Sequence, residues 1–175
     1  MVQASASALP FADNSFDAAL AVLTVHPWPN QRQGLSEMAR VARKRCVILT
    51  WLPGCSFWLT RDYFPEISER ERTMFSVDPF RDVFTRMEIV PVAIPHDCSD
   101  GLLCAYWRRP EAYLDPGVRS AISSFAHIPD VKRRLAQLKR DLDDGTWQTR
   151  NRDILDRTEL DFGYRLLVAE PDSNS

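Results

Sequence analysis

The residues best suited to chemistry in this 175-residue chain lie where its apolar runs stop. His26 sits in "HPWPN", directly after the apolar run "DAALAVLTV" at 17–25. An imidazole with a free pKa of about 6.5 can orient an acceptor or take its proton. The other reading is a loop histidine bonded to nearby backbone. Trp28 and Trp51 close two apolar runs and read as pocket walls or as core packing. His96 and Asp97 form a His–carboxylate pair, and Tyr106 and Trp107 follow on what the pattern takes for a helix. That group suits acceptor recognition, although Asp97 and Asp100 serve equally well as turn and capping residues. Tyr63, in "TRDYF", is a further candidate for the pocket. No G-x-S-x-G elbow supports hydrolase chemistry. Cys46, Cys55, Cys98 and Cys104 make no C-x-x-C pair and only three histidines accompany them. No metal site is expected; four reduced thiols in a cytoplasmic protein are.

Such side chains need elements to hold them. The run 17–25 suits a strand covered on both faces. Two prolines in "HPWPN" then stop any regular element. Asn30 can cap a helix to about Ala42, with Leu35, Met38, Ala39 and Ala42 on one buried stripe and "RKR" (43–45) at its positive-favouring end. "CVILTW" at 46–51 is a second apolar strand, so the first 51 residues contain a βαβ unit with parallel strands. Beyond "LPGCSF", helical patterns run from Pro65 to about Phe75 and from Pro79 to Met87, followed by a strand at 88–94 whose Pro91 marks a sheet edge. Asp100 is expected to cap a helix through "GLLCAYWRR". Val118, Ile122 and Phe125 mark another helix, and Val131, Leu135, Leu138 and Leu142 a longer one stopped by Gly145. "GYRLLVAE" (163–170) reads as a last strand and "PDSNS" as a frayed tail.

The bulk properties narrow the classes. Hydrophobic and charged fractions of 45 % and 26 % are those of an ordinary globular chain. A net charge of −2 offers no basic excess for nucleic acid or anionic membrane. No apolar run approaches the roughly 20 residues that span a bilayer, and the first residues carry no secretory pattern.

The block "ALPFADNSFDAALAVLTVHPWPNQRQGLSEMARVARKRCVILTW" resembles class I S-adenosylmethionine-dependent methyltransferases. It has their L-P-F turn, S-F-D opening the fourth strand, the H-x-W-P segment, and E-M-x-R-V ending a helix before the fifth strand. "IPHDCSDGLLCAYWRRPEAYL" and "GYRLLVA" are similar to the later strands and cap of the same enzymes. The resemblance implies an α/β, partial Rossmann-like methyltransferase fold of strands four to seven. The sheet would be mostly parallel with an antiparallel last strand, its core at 1–95 and 161–170 and a helical cap at 96–160. It also implies that the family's first three strands and glycine-rich loop are missing from this single domain. The six glycines, at 34, 54, 101, 117, 145 and 163, agree, since none has G-x-G spacing. S-adenosylmethionine is the implied cofactor. Ser5 then stands where the family often has Asp, and Ala6 where a backbone amide meets adenine. Thr24 and Val25 read as cofactor contacts at the strand end where ligands collect in open α/β sheets. The expected activity is methyl transfer to a small-molecule acceptor, muted if the glycine loop is lost. The competing expectation is a non-catalytic interaction protein. In either case the uncovered edge of strand 17–25 would pair with a second copy or with a separate N-terminal half.

Overall fold

The first apolar run becomes strand β1 (Phe16–Val22), which ends where Leu23 takes a positive φ of 50°. Helix α1 (Gln31–Val41) starts as its cap residue dictates: the Asn30 side chain accepts the Gln33 N–H at 3.0 Å. Strand β2 (Ala42–Trp51) follows without a loop. It pairs in parallel with β1, giving the expected βαβ unit. The "RKR" segment is part of this strand and not the helix end. Ala42 has already turned extended, and the Asp17 carboxylate at the start of β1 draws Arg43 (2.9 Å) and Lys44 (3.3 Å) onto it.

The computed structural model describes residues 1–74 and 76–171. Its later elements are α2 (Pro65–Met74), α3 (Asp78–Val83), β3 (Met87–Pro91), β4 (Ile94–Pro95), α4 (Pro116–Ser120), α5 (Val131–Asp143), α6 (Thr146–Arg150), β5 (Glu159–Leu160) and β6 (Tyr164–Ala169). A π-helix at Leu59–Tyr63 and 3₁₀ turns at Pro110–Leu114 and Ser123–His127 complete the set. Phe75, expected at a helix end, and residues 172–175 of the tail lie outside the described residues. No helix among the described residues is long and apolar enough to cross a membrane.

The chain divides into two compact units. The first contains Met1–Pro53, Met74–Val92 and the chain from Gly163 onward. Its four-stranded sheet has the order β1-β2-β6-β3, with β6 antiparallel to both neighbours, as expected of the last strand. β3 is an edge strand and Pro91 is its final residue, where a missing N–H costs no ladder bond. Leu35, Met38 and Ala42 bury their side chains with Ala21, Cys46, Ile48 and Leu167, while Ala39 is only partly covered. The small Ala19 and Ala21 on this side of β1 let α1 lie close. The opposite parity of β1 is different: Phe16, Leu20 and Val22 are 41, 68 and 46 % exposed. Helix α3 stops at Val83, short of the expected Met87, because Phe84 turns extended to bury its ring and Met87 joins β3.

The second unit contains Gly54–Thr73 and Ala93–Phe162. Helix α5 is the long helix that the leucine pattern implied, stopped by Gly145 at φ 78°. The helix expected over 101–109 does not form, and residues 103–108 are a chain of turns. The Tyr113 hydroxyl occupies the backbone there, accepting from the Tyr106 N–H (3.2 Å) and donating to the Leu103 carbonyl (2.7 Å). Arg109 adds bonds to the Ala105 and Cys98 carbonyls, so tertiary partners take the groups a helix would use. The helix expected from Val118 to Phe125 breaks into α4 and a 3₁₀ turn, with Ile122 extended between them. The short β4–β5 pair has too few residues to show periodicity.

Candidate cofactor site

Beyond Val22 the chain leaves the sheet through Thr24 and Val25, then turns at His26-Pro27-Trp28. Two hydrogen bonds fix this turn: the Val25 carbonyl accepts the Trp28 N–H at 3.1 Å, and the His26 carbonyl accepts Gln31 Nε2 at 3.2 Å. The Trp28 indole lies flat on α1 at Gly34, where a Cβ would come within 2.4 Å of the ring. A glycine inside a helix weakens it by about 1 kcal/mol against alanine. Here its bare backbone makes room for the indole.

A concavity of about 280 Å³ runs along the open side of β1, with Ala6, Leu9, Leu20, Thr24, Trp28 and Met38 among its walls. Ala6, Thr24 and Trp28 are three of the positions singled out from the sequence, drawn from two segments, the one before β1 and the loop after it. Ser5 is exposed beside them in a turn closed by the Ala8 N–H on its carbonyl (3.1 Å), and its hydroxyl accepts the Ser7 N–H at 3.3 Å. Val25 is 3 % exposed and turns its side chain into the core, leaving backbone as its means of contact. His26 is half-buried, and burial lowers its pKa from 6.5. Trp51 ends β2, with its indole against Gly163.

The remaining candidates belong to the second unit. Tyr63 is buried and donates its hydroxyl to Asp141 at 2.7 Å. His96 donates its backbone N–H to the Thr158 carbonyl, and Asp97 is exposed in the turn closed by Cys98 on Pro95. The Tyr106 ring lies under Arg109, 4.8 Å from its guanidinium carbon. Trp107 is completely buried, its indole N–H on the Ile94 carbonyl.

Sequence reasoning gave no role to Glu37 and Arg40, although both stand in the quoted E-M-x-R-V stretch. They hold the segment before β1. Glu37 accepts the Leu9 N–H, while Arg40 reaches the Leu9 and Phe11 carbonyls and Asp13. Their i,i+3 spacing was the only available signal.

The groove's walls are largely apolar side chains, the kind of lining an adenine ring needs. For a ribose or an amino-acid end the described residues supply no acidic partner after a second strand and no glycine turn, so the fit covers the adenine side alone. All four cysteines are free thiols, and Cys46 is pushed up to about 11 by burial.

A mixed four-stranded sheet built on a parallel βαβ unit, with the candidate groove along β1, is an α/β arrangement, and comparison with known proteins narrows it. A family model described as a methyltransferase domain matches residues 1–50. A solved structure from Anabaena variabilis, described as a methyltransferase from an antibiotic biosynthesis pathway, agrees at a TM-score of 0.87 and 32 % identity over 96 % of this chain and 72 % of its own. The YcgJ protein of Bacillus subtilis gives a TM-score of 0.47 at 14 % identity, over 99 % of this chain and 71 % of its own. A protein of Bacillus halodurans described as a methyltransferase gives 0.44 at 13 %, over 97 % and 70 %. No curated protein sequence matches. This chain belongs to the class I S-adenosylmethionine-dependent methyltransferase family.

Proposed function

We propose that the protein transfers a methyl group from S-adenosylmethionine to a small-molecule acceptor. The observation that carries this reading is the apolar groove along β1 that unites Ala6, Thr24 and Trp28. S-adenosylmethionine supplies an electrophilic methyl on a sulfonium, so the protein's task is chiefly alignment and exclusion of water. Ala6, Leu9 and the Trp28 face would hold the adenine, with Ser5, Thr24 and the Val25 backbone at its edge. A protonated acceptor also needs somewhere to leave its proton. His26, kept neutral at pH 7 by burial, can accept it. The net charge of −2 supports a small acceptor over a polyanion. Calorimetry with S-adenosylhomocysteine tests the reading: micromolar binding is expected, and no binding overturns it.

The base assignment has its own signature. With a pKa below 6.5, His26 loses activity only on the acid side. kcat/KM is expected to be level through pH 7 and to fall with one proton at lower pH. His26→Ala should abolish that limb and lower kcat about 10²-fold. An unchanged profile in the variant gives the proton to another group.

A second reading has a separate observation behind it. β1 is one of the sheet's two edge strands, and its Leu20 is 68 % exposed. An apolar edge with unpaired backbone groups favours strand addition. We propose that it pairs with a strand of another polypeptide, either a second copy or a separately encoded segment. The chain would then act in the paired state, or serve as a non-catalytic partner. Leu20→Lys is expected to convert self-associated protein to monomer in sedimentation. A wild-type chain that stays monomeric at high concentration, alone and with candidate partners, removes this reading.

A further inference from the structure

The segment 5–14 forms the outer wall of the groove without belonging to the sheet. Its internal ties are the Ser5–Ala8 bridge and the Ser7 N–H on the Ser5 hydroxyl. The remaining backbone groups have to find partners elsewhere, because unpaired polar groups away from water are costly. One face of α1 supplies them. Gln33 Nε2 donates to the Ser7 carbonyl at 3.0 Å. Glu37 Oε2 accepts the Leu9 N–H at 2.7 Å. Arg40 donates Nη2 to the Leu9 carbonyl (3.0 Å) and Nη1 to the Phe11 carbonyl (2.8 Å) and to Asp13 (2.7 Å). The Arg40 carbonyl accepts the Asn14 N–H at 2.9 Å. Glu37 and Arg40 also grip each other through two bonds, at 2.7 and 2.9 Å. Positions 33, 37 and 40 are i, i+4 and i+7, which places all three on one side of the helix.

We propose that Gln33, Glu37 and Arg40 are positioning residues for the cofactor: they lock the 5–13 segment so that Ala6 and Leu9 form a fixed wall for adenine. The proposal rests on the methyl-transfer reading above. None of the three lines the groove, so each acts through the segment it holds. Arginine suits the task because a planar guanidinium can serve several carbonyls at once, whereas a lysine ammonium on a flexible stem cannot. The same guanidinium holds the Glu37 carboxyl down to about 2, keeping the clamp charged at every working pH.

Two readouts on the full chain separate the possibilities. Without ligand, Arg40→Met is expected to speed amide hydrogen exchange through residues 5–14 while exchange in β2 and β6 stays as in wild type. With S-adenosylhomocysteine as probe, the same variant should bind about tenfold or more weakly, since small displacements of a positioning group cost that much. In turnover, KM for the cofactor should rise with kcat held. Arg40→Lys should recover part of the affinity and Glu37→Gln should fall between. Gln33→Ala, which removes the bond to Ser7 and a 3.4 Å bond from Asn30 at an exposed helix site, keeps the test open if Arg40→Met does not fold. Faster exchange in 5–14 with undiminished affinity overturns the positioning role. Unchanged exchange overturns the clamp. Absence of binding by the wild-type chain overturns the cofactor reading and this proposal with it, while ligand-free exchange still reports on the clamp.

Discussion

Asp141→Ala is expected to destabilise the protein by about 3–5 kcal/mol, as loss of one member of a buried charged network does. Asp141 is 5 % exposed on α5. It accepts the Tyr63 hydroxyl at 2.7 Å, the Gln137 amide, and Arg150 Nη1 at 3.3 Å. Alanine leaves the Tyr63 hydroxyl inside the second unit without its acceptor, and Tyr63 is itself 3 % exposed. Asp141→Asn retains an acceptor oxygen for Tyr63 and loses only the charge facing Arg150, so about 1–2 kcal/mol is expected. Tyr63→Phe removes the donor but leaves Asp141 two partners, and should also cost about 1–2 kcal/mol. Urea unfolding of the three single variants and of Tyr63→Phe/Asp141→Ala closes the cycle. A coupling of about 1 kcal/mol or more is expected for groups in direct contact. Equal costs for all three single variants contradict the network. Burial first, and Asp141 second, raise the Tyr63 phenol well above its ordinary value of 10. The neutral phenol is therefore preferred in the folded state. Its contribution is whole below pH 10 and declines above it, as the unfolded chain ionises first. Tyr63→Phe should flatten that alkaline decline.

The difference between legible and illegible parts of this fold is a difference in where the determining partners lie. β1, α1 and β2 could be read because their causes are local: Asn30 caps its own helix, and Leu35 and Met38 recur at the helix period. β6 was legible from its unbroken apolar run, since a strand between two others needs apolar residues on both faces. The segment 101–109 was not, because its conformation depends on the hydroxyl of Tyr113 and the guanidinium of Arg109. No periodicity encodes a side chain that replaces helix bonds. At the site the same rule holds. Thr24 and Trp28 follow directly from the end of a strand, whereas Arg40 finds its carbonyl partners 29 and 31 residues earlier in the chain. Such a clamp leaves only a charge pair in the sequence, and most exposed charge pairs contribute little.

Trp107 shows how two readings of one residue make opposite predictions, and Trp107→Ala is expected to cost about 3–5 kcal/mol. The side chain is completely buried. Its indole N–H bonds the Ile94 carbonyl at 3.1 Å, and its own carbonyl accepts Trp58 Nε1 at 2.7 Å. The ring also packs against Phe162, with centroids 6.1 Å apart. These contacts tie the 103–108 turns to the β4–β5 pair. Truncation opens a cavity the size of an indole and leaves the Ile94 carbonyl without its donor. Trp107→Phe refills much of that space but not the hydrogen bond, so a smaller loss of about 1–2 kcal/mol is expected. Thermal or urea unfolding gives the totals, and hydrogen exchange gives the location. Protection should fall across the second unit, most strongly at 94–108 and 159–162, which the lost ring holds together. A residue lining an open acceptor pocket behaves in the reverse way. Its truncation would raise KM for the acceptor and leave the unfolding midpoint nearly where it was. The Ile94 bond makes the distinction sharp, because a pocket wall has no reason to spend its only donor on a buried strand.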